Sequence, residues 1–287
     1  MDCLRHRIVA FAAALSVTVM SSASEPETEI LRPVTAAYTV EAGSAHIADT
    51  YLSPIRYSGW SVGFGYGRMQ AMKFSPERWV MALDARINAE RSLNRVGNAT
   101  MWYWGVEARW AMMRRVRPLS GLTIGFGIGP GFKAGCLYSQ RNGNNPASAK
   151  VALTVDLTAY AAWNTRLGRL PVTVCYRPSV PLTGVFFSPD YGELYYEIYL
   201  GNHSGLARMA WWGNYFALDH RLTADLHFGN TSLRIGYSGQ LLSTKASDIT
   251  SRMLRHCAVI GVSGEWLSVS PSKKIPPKAR MIHALYE

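Results

Sequence analysis

Asp84 and Arg86 stand two residues apart, and so do Glu107 and Arg109. Charges at i and i+2 share one face of an extended chain, whereas a helix throws them to nearly opposite sides. Two such segments side by side can pair acid with base, so the chemistry this spacing supports is ion pairing. The same phase carries Arg78, Glu90, Lys133, Lys150, Asp156, Arg166, Arg177, Arg221, Asp225, Arg234 and Glu265. Of these, Arg78, Asp84, Arg86, Glu107, Arg109, Asp156, Arg221, Asp225, Arg234 and Glu265 are the candidates for one internal charge network. Isolated charges are costly to bury, so a narrow interior requires them to pair.

Other chemistry has less support. The histidines beyond the N-terminus are His46, His203, His220, His227, His256 and His283. A nucleophile needs its base within hydrogen-bond reach, and the sequence alone places no serine within such reach of any of them. His220 with Asp219 and Asp225 is the nearest cluster, but Asp219 adjoins His220 and alternates to the other face. No histidine, cysteine or carboxylate spacing matches a metal site. Cys136, Cys175 and Cys257 are an odd set without Cys-x-x-Cys, hence neither a disulfide framework nor a zinc site. No catalytic, cofactor-binding or metal-binding residue is expected, and no cofactor.

The elements that must carry these charges are strands. In Lys150–Arg166, Val151, Leu153, Val155, Leu157, Ala159, Ala161 and Trp163 occupy one face, and Lys150, Thr154, Asp156, Tyr160 and Arg166 the other. That period of two spans far more than the ~5–6 residues of an ordinary strand. Trp60–Arg68, Arg78–Glu90, Met101–Met113, Leu122–Ile128, Phe216–Phe228, Leu233–Leu241 and Arg252–Trp266 repeat it, and Thr35–Ala48 does so weakly. A strand at Val172–Arg177 is cut by Pro178 and Pro181 and is expected to bulge or end early. Trp60, Trp79, Trp102, Trp163 and Trp266 fall near the ends of apolar faces, as in the aromatic girdles of membrane barrels. The predicted fold is all-β: a transmembrane antiparallel up-and-down β-barrel of about ten to twelve strands. The competing fold, an exported soluble sandwich, is disfavoured by strand length.

Composition agrees. Charged residues make up 17% of the chain, below the ~25% of soluble domains. No apolar run is long enough for a membrane helix. Arg5–Arg7, the apolar run Ile8–Val19 and the small residues Ser21 and Ala23 have the order of an export signal at 1–23. The barrel is then assigned to 24–270 and a Pro/Lys-rich tail to 271–287. The net charge of +11 is spread through the strands with no single basic run, which suits anionic head groups or anionic solutes better than nucleic acid. Connections alternate between short turns (Phe74–Glu77, Arg115–Ser120, Leu167–Arg169, Gly229–Thr231) and longer ones (Thr50–Gly59, Asn94–Asn98, Ser139–Ser148, Gly184–Tyr215, Thr244–Ser251). Outer-membrane barrels have that parity, with short periplasmic turns and longer outer loops.

Gly184–Tyr215 is the least ordinary stretch. Phe187, Tyr191, Tyr195, Tyr196 and Glu197 mark it as a plug or lid over the basic interior, and Leu194–Leu200 is strand-like in composition. Thr50-Tyr-Leu-Ser-Pro54, Tyr57-Ser-Gly59, Pro181-Leu-Thr-Gly184, Phe187-Ser-Pro-Asp-Tyr-Gly192, Tyr195-Tyr-Glu-Ile198 and Gly201-Asn202 recur in order across nearly the whole chain. In these the sequence resembles an outer-membrane β-barrel family of unknown function typical of Bacteroides-like bacteria. The resemblance implies a barrel in the bacterial outer membrane and brings no site residues. The function expected is that of a monomeric, non-enzymatic barrel with a narrow or filled lumen, in a structural, binding or small-solute transport role. Outer-membrane lipid and lipopolysaccharide, the barrel-assembly machinery and small anionic solutes are the expected partners. A lipid- or lipopolysaccharide-modifying enzyme is the alternative.

Overall fold

The computed structural model describes residues 29–143, 145–201, 203–229, 231–267 and 279–286. The export signal expected at 1–23 lies outside the described residues. The period-two segments form strands β1 (Ile30–Leu31), β2 (Val34–Asp49), β3 (Ser53–Ala71), β4 (Trp79–Asn94), β5 (Thr100–Leu119), β6 (Leu122–Ser139), β7 (Ala147–Leu167) and β8 (Leu170–Phe187). Helix α1 (Tyr195–Tyr199) follows, then β9 (Ala207–Ala210), β10 (Tyr215–Phe228), β11 (Thr231–Ala246), β12 (Ile249–Trp266) and β13 (Arg280–Met281).

Ten strands, β2 to β8 and β10 to β12, pair antiparallel with their chain neighbours; β12 meets β2 and β8 meets β10, so the sheet closes. Closure leaves no unpaired edge in the wall. Side-chain alternation then sorts the chain into an inside and an outside. In β7, Ala152, Thr154, Asp156, Thr158 and Tyr160 are buried in the interior, whereas Leu153 is 55% exposed. Every one of the ten strands exposes large apolar side chains outward, Val40, Phe64, Ile87, Phe126 and Ile260 among them.

Two expectations needed correction, and a third, at β8, was met in one of its two forms. Leu194–Leu200 is no strand. With no neighbouring strand to pair with, its backbone satisfies itself as α1, and the Glu197 carboxylate accepts the Leu194 N–H at 3.0 Å. The barrel therefore has ten strands, the lower of the expected counts. Pro178 and Pro181 do not end β8 early, and the bulge expected as the other outcome is present. The β7–β8 ladder drops the pairs between Thr158↔Ser179 and Ala161↔Tyr176 and shifts register at Val155/Asp156, which absorbs the missing donors. The segment expected as a loop from Thr50 to Gly59 is a tight turn at 50–52, with Pro54 already in the opening residues of β3.

The interior is layered. At the end carrying the longer connections, Ile47, Tyr57, Met101, Tyr103, Leu137, Phe186, Tyr215 and Leu242 form one apolar cluster. At the tight-turn end, Met69, Val80, Met113, Tyr160 and Cys175 form another. The rings fit because facing residues lack Cβ atoms. Tyr160 lies on Gly125, and Tyr103 lies across Gly105 and Gly135, positions where a methyl group would collide with the ring.

Candidate functional site

Between the two apolar layers sits the charge network. Register explains its first pairs: β4 and β5 set Asp84 opposite Arg109 and Arg86 opposite Glu107. Of these two oppositions one is used: Arg86 reaches Glu107 at 3.3 Å, whereas Asp84 bonds Arg177 across the lumen at 2.7 Å and Arg109 bonds Asp156 at 2.7 Å. Inward side chains in a narrow closed barrel meet residues from the far wall as readily as their ladder neighbours.

Glu41 is the hub. It has no solvent exposure and receives Arg221 at 2.8 Å, Arg255 at 3.2 Å and Arg86 at 3.3 Å. Arg86 also bonds Asp219 at 2.9 Å, and the Gln240 amide donates to both Asp219 (2.7 Å) and Glu107 (2.6 Å). Lys133 closes on Glu107 at 3.1 Å. A cavity of about 50 Å³ lies among Arg86, Glu107, Arg109, Asp156 and Asp219. Asp156 Oδ1, unbonded to any other described atom, lines it, and the space suffices for water.

Of the charges expected to join this network, Asp84, Arg86, Glu107, Arg109, Asp156 and Arg221 do. Arg78 does not: it lies exposed in the turn before β4, two residues below the first inward position, Val80. Arg166 is likewise exposed, since β7 there has run past its last pair with β6, Leu122↔Trp163, and is laddered to β8 alone. Asp225 and Arg234 bond each other at 2.6 and 2.7 Å but at the tight-turn end, apart from the hub. Glu265 also lies at that end. Glu41, Asp219, Arg255 and Gln240 were missed. Their signal was available, since Glu41 alternates with Tyr38, Val40 and Ala42, and Asp219 shares the phase of Arg221 and Asp225.

The tail is part of the site. β13 pairs parallel with β1, and Ile282, Ala284 and Leu285 are buried, the last two in the apolar cluster at the tight-turn end. Arg115 holds it there: its guanidinium donates to the carbonyls of His283 (2.5 Å) and Ala284 (3.3 Å) and to those of Pro76 (2.7 Å) and Glu77 (2.9 Å) in the β3–β4 turn. His283 bonds Glu265 at 2.5 Å, and that bond raises the imidazole pKa above its usual value. Tyr286 donates to Asp225 at 2.8 Å and packs edge-on against His227. Residues 279–286 thus stopper one mouth, where the sequence suggested only an appended tail.

The two ends of the Gly184–Tyr215 excursion, through Phe186, Ala210 and Tyr215, join the interior apolar cluster, and its middle is tied to the opposite rim. Tyr51 donates to the Glu193 carbonyl at 2.7 Å, and the Tyr195 hydroxyl accepts the Ala149 N–H at 2.6 Å. Burial pushes the Tyr195 phenol up to about 12. Phe187 packs against Tyr195. Tyr191, Tyr196 and Glu197 are exposed, and Glu197 caps its own helix. They are therefore no plug residues: a five-residue helix buries no face of its own.

Outside the lumen, one pairing escaped the sequence. His46 on β2 and Ser58 on β3 are ladder partners, and His46 Nδ1 lies 2.9 Å from Ser58 Oγ on the outer wall. An orienting carboxylate is missing from that wall: the acids of the ten strands, Glu41, Asp49, Asp84, Glu90, Glu107, Asp156, Asp219, Asp225 and Glu265, all point inward. His220 sits against Tyr176 and Tyr237 on the outer wall, away from Asp219 and Asp225. Among the described residues no group of histidine, cysteine and carboxylate ligands is arranged for a metal.

No curated protein sequence matches the chain. Among solved structures it is similar to the translocator domain of autotransporter NalP from Neisseria meningitidis, at 9% identity and a TM-score of 0.36, with 92% of this chain and 95% of that one covered. It is also similar to the COG4313 outer membrane channel from Pseudomonas putida F1, at 8% identity and a TM-score of 0.34, covering 85% and 99%. Neisserial surface protein A follows at 10% identity and a TM-score of 0.29, covering 82% and 97%. A family model matches residues 8–273, nearly the whole chain, and the protein belongs to that family, described as Protein of unknown function (DUF3316).

Proposed function

We propose that this protein is a monomeric barrel of the bacterial outer membrane, in a Bacteroides-like host, whose role is structural or binding and not that of an open pore. The outward apolar face on all ten strands supports the membrane setting, since soluble monomers rarely expose apolar patches beyond a few hundred Å². Aromatics bound that face at both ends. Trp60, Trp102 and Trp104 cluster towards the long connections, and Trp79, Trp163 and Trp266 lie at the tight turns. From Trp60 down to Ala71, level with Trp79, the strand rises roughly 36 Å at ~3.3 Å per residue. A tilt of ~40° reduces that to about 28 Å of height, close to the ~25 Å band of known membrane barrels. The tight turns then face the periplasm and the longer connections the exterior.

The single observation that carries the functional reading is the filled lumen: apolar cluster, charge network, apolar cluster and tail in series. A small solute such as an anion has no continuous path through that series. The surrounding outer-membrane lipid and lipopolysaccharide are its partners, with the barrel-assembly machinery acting during insertion. Purified protein in planar bilayers tests this. Heat-modifiable, folded protein should give no discrete conductance, and steady open channels would sink the reading.

A lipid- or lipopolysaccharide-modifying enzyme is the second reading, favoured only by the exposed His46–Ser58 pair. Ser58→Ala should leave membrane lipid composition unchanged if the first reading holds.

A further inference from the structure

The outer wall of this barrel has cations and no acids. Above the Trp60 belt, three of those cations gather on adjacent strands. Ladder register places Arg252 on β12 and Arg56 on β3 to either side of Ala48 on β2, in one row. Neighbouring strands lie ~4.8 Å apart, so the two columns are about 10 Å apart. Lys245 on β11 is partnered by Thr250, two residues further up β12 from Arg252. All three side chains are exposed. None makes an ion pair or hydrogen bond with any described residue. That separates them from the inner arginines, each of which is bonded, and from Arg208, which is held by Asp190.

Their height is as telling as their charge. Arg56 lies four residues above Trp60 on the same strand, roughly 10 Å higher at ~3.3 Å per residue and a tilt of ~40°. His256, Ser44, Trp60 and Arg91 form the row at the belt itself, where the Arg91 guanidinium lies 5.7 Å over the Trp102 ring. Interfacial aromatics sit at the head-group boundary. Arg56, Arg252 and Lys245 therefore stand where lipid phosphates stand, with the His46–Ser58 pair, two further hydrogen-bonding groups, in the row between.

We infer that Arg56, Arg252 and Lys245 form a binding surface for the phosphates of an outer-leaflet lipid of the lipid A type. This rests on the outer-membrane reading above and names which part of the wall binds and which chemistry it recognises. Guanidinium groups suit the task, since each offers a planar fork of donors to phosphate oxygens. The unpartnered state of all three follows, because their counter-charge comes from the membrane.

The test uses full-length protein purified in detergent, with bis-phosphorylated lipid A and its dephosphorylated form as probes. Bound lipid is counted by native mass spectrometry. Wild type should retain the phosphorylated lipid and not the dephosphorylated one, and millimolar inorganic phosphate should fail to displace it. The triple variant Arg56→Gln/Arg252→Gln/Lys245→Gln should bind about 10–100-fold more weakly, while Arg68→Gln on the opposite rim should bind as wild type does. Equal binding by triple variant and wild type, or equal retention of both lipids, overturns the proposal. Heat-modifiable migration and outer-membrane fractionation are read on the same samples. Loss of those in the wild type would fell the membrane reading itself, whereas normal insertion with unselective binding would fell only this one.

Discussion

The Tyr286 hydroxyl donates to Asp225 at 2.8 Å, and the same Asp225 carboxylate grips Arg234 through both oxygens. The last described residue of the chain is thereby joined to a buried ion pair on β10 and β11. The aromatic near the C-terminus is a structural fastening of the barrel mouth. Hydrogen bonds to charged groups contribute about 1.5–3 kcal/mol. Tyr286→Phe should lower stability by that order, read from the urea midpoint of unfolding in detergent. A midpoint equal to wild type would show that the tail is not fastened there.

Glu41 has a larger expected effect. Three arginines from β4, β10 and β12 converge on it at zero exposure. Glu41→Gln leaves them facing one another with no counter-charge. Breaking a buried pair from one side costs about 3–5 kcal/mol. The expected result is a sharp fall in the temperature of heat-modified migration, larger than for any other single acid of the lumen.

Asp156→Asn is milder. Asp156 holds Arg109 at 2.7 Å, but Arg109 keeps partial exposure and a second acid, Asp219, at 3.9 Å. A loss of about 1–2 kcal/mol is expected, less than the full cost of a broken buried pair. Membrane lipid composition in cells carrying the variant should not change, because Asp156 is a counter-ion here. Unchanged stability would count against this account.

The tail should loosen with rising pH. His283 faces Glu265 on β12, and Arg115 and Arg117 on β5 oppose its charge. The hydrogen bond donated to Glu265 wins, so the folded-state value is raised above the usual 6.5. A raised value means the folded protein binds the proton more tightly. Its contribution is complete below 6.5 and is lost as pH climbs through the raised folded value. Protease cleavage near residue 280 should therefore accelerate across that window in wild type and show no such step in His283→Gln. A step of equal size in both would assign it elsewhere.

Much of the fold was legible because alternation is a local property. In Lys150–Arg166 the polar positions alone said that Asp156 and Trp163 lie on opposite faces, and burial of one and 55% exposure of the other follow from that phase. The same phase pointed Asp84, Arg86, Glu107 and Arg109 inward. It could not mark Arg78 as exposed, because phase says nothing about where a strand leaves the wall. Leu194–Leu200 misled for a related reason: aromatic and β-branched content suits a strand only where a partner strand exists, and there a helix closed its own hydrogen bonds.

The sequence by itself determined the ten wall strands, their faces and the inward placement of Asp84, Glu90, Glu107, Asp156, Asp225 and Glu265. Each depends on neighbours two residues apart. Only the tertiary structure decided that Glu41 takes Arg221, that Asp84 takes Arg177 in place of its ladder partner Arg109, and that residues 279–286 close the lower mouth. Pairing across a lumen depends on the number of strands and their stagger, which here bring together residues 93 and 180 positions apart. The tail has no alternation to read. It finds its place through buried apolar contacts and the Arg115 clamp, which exist only once the barrel has closed.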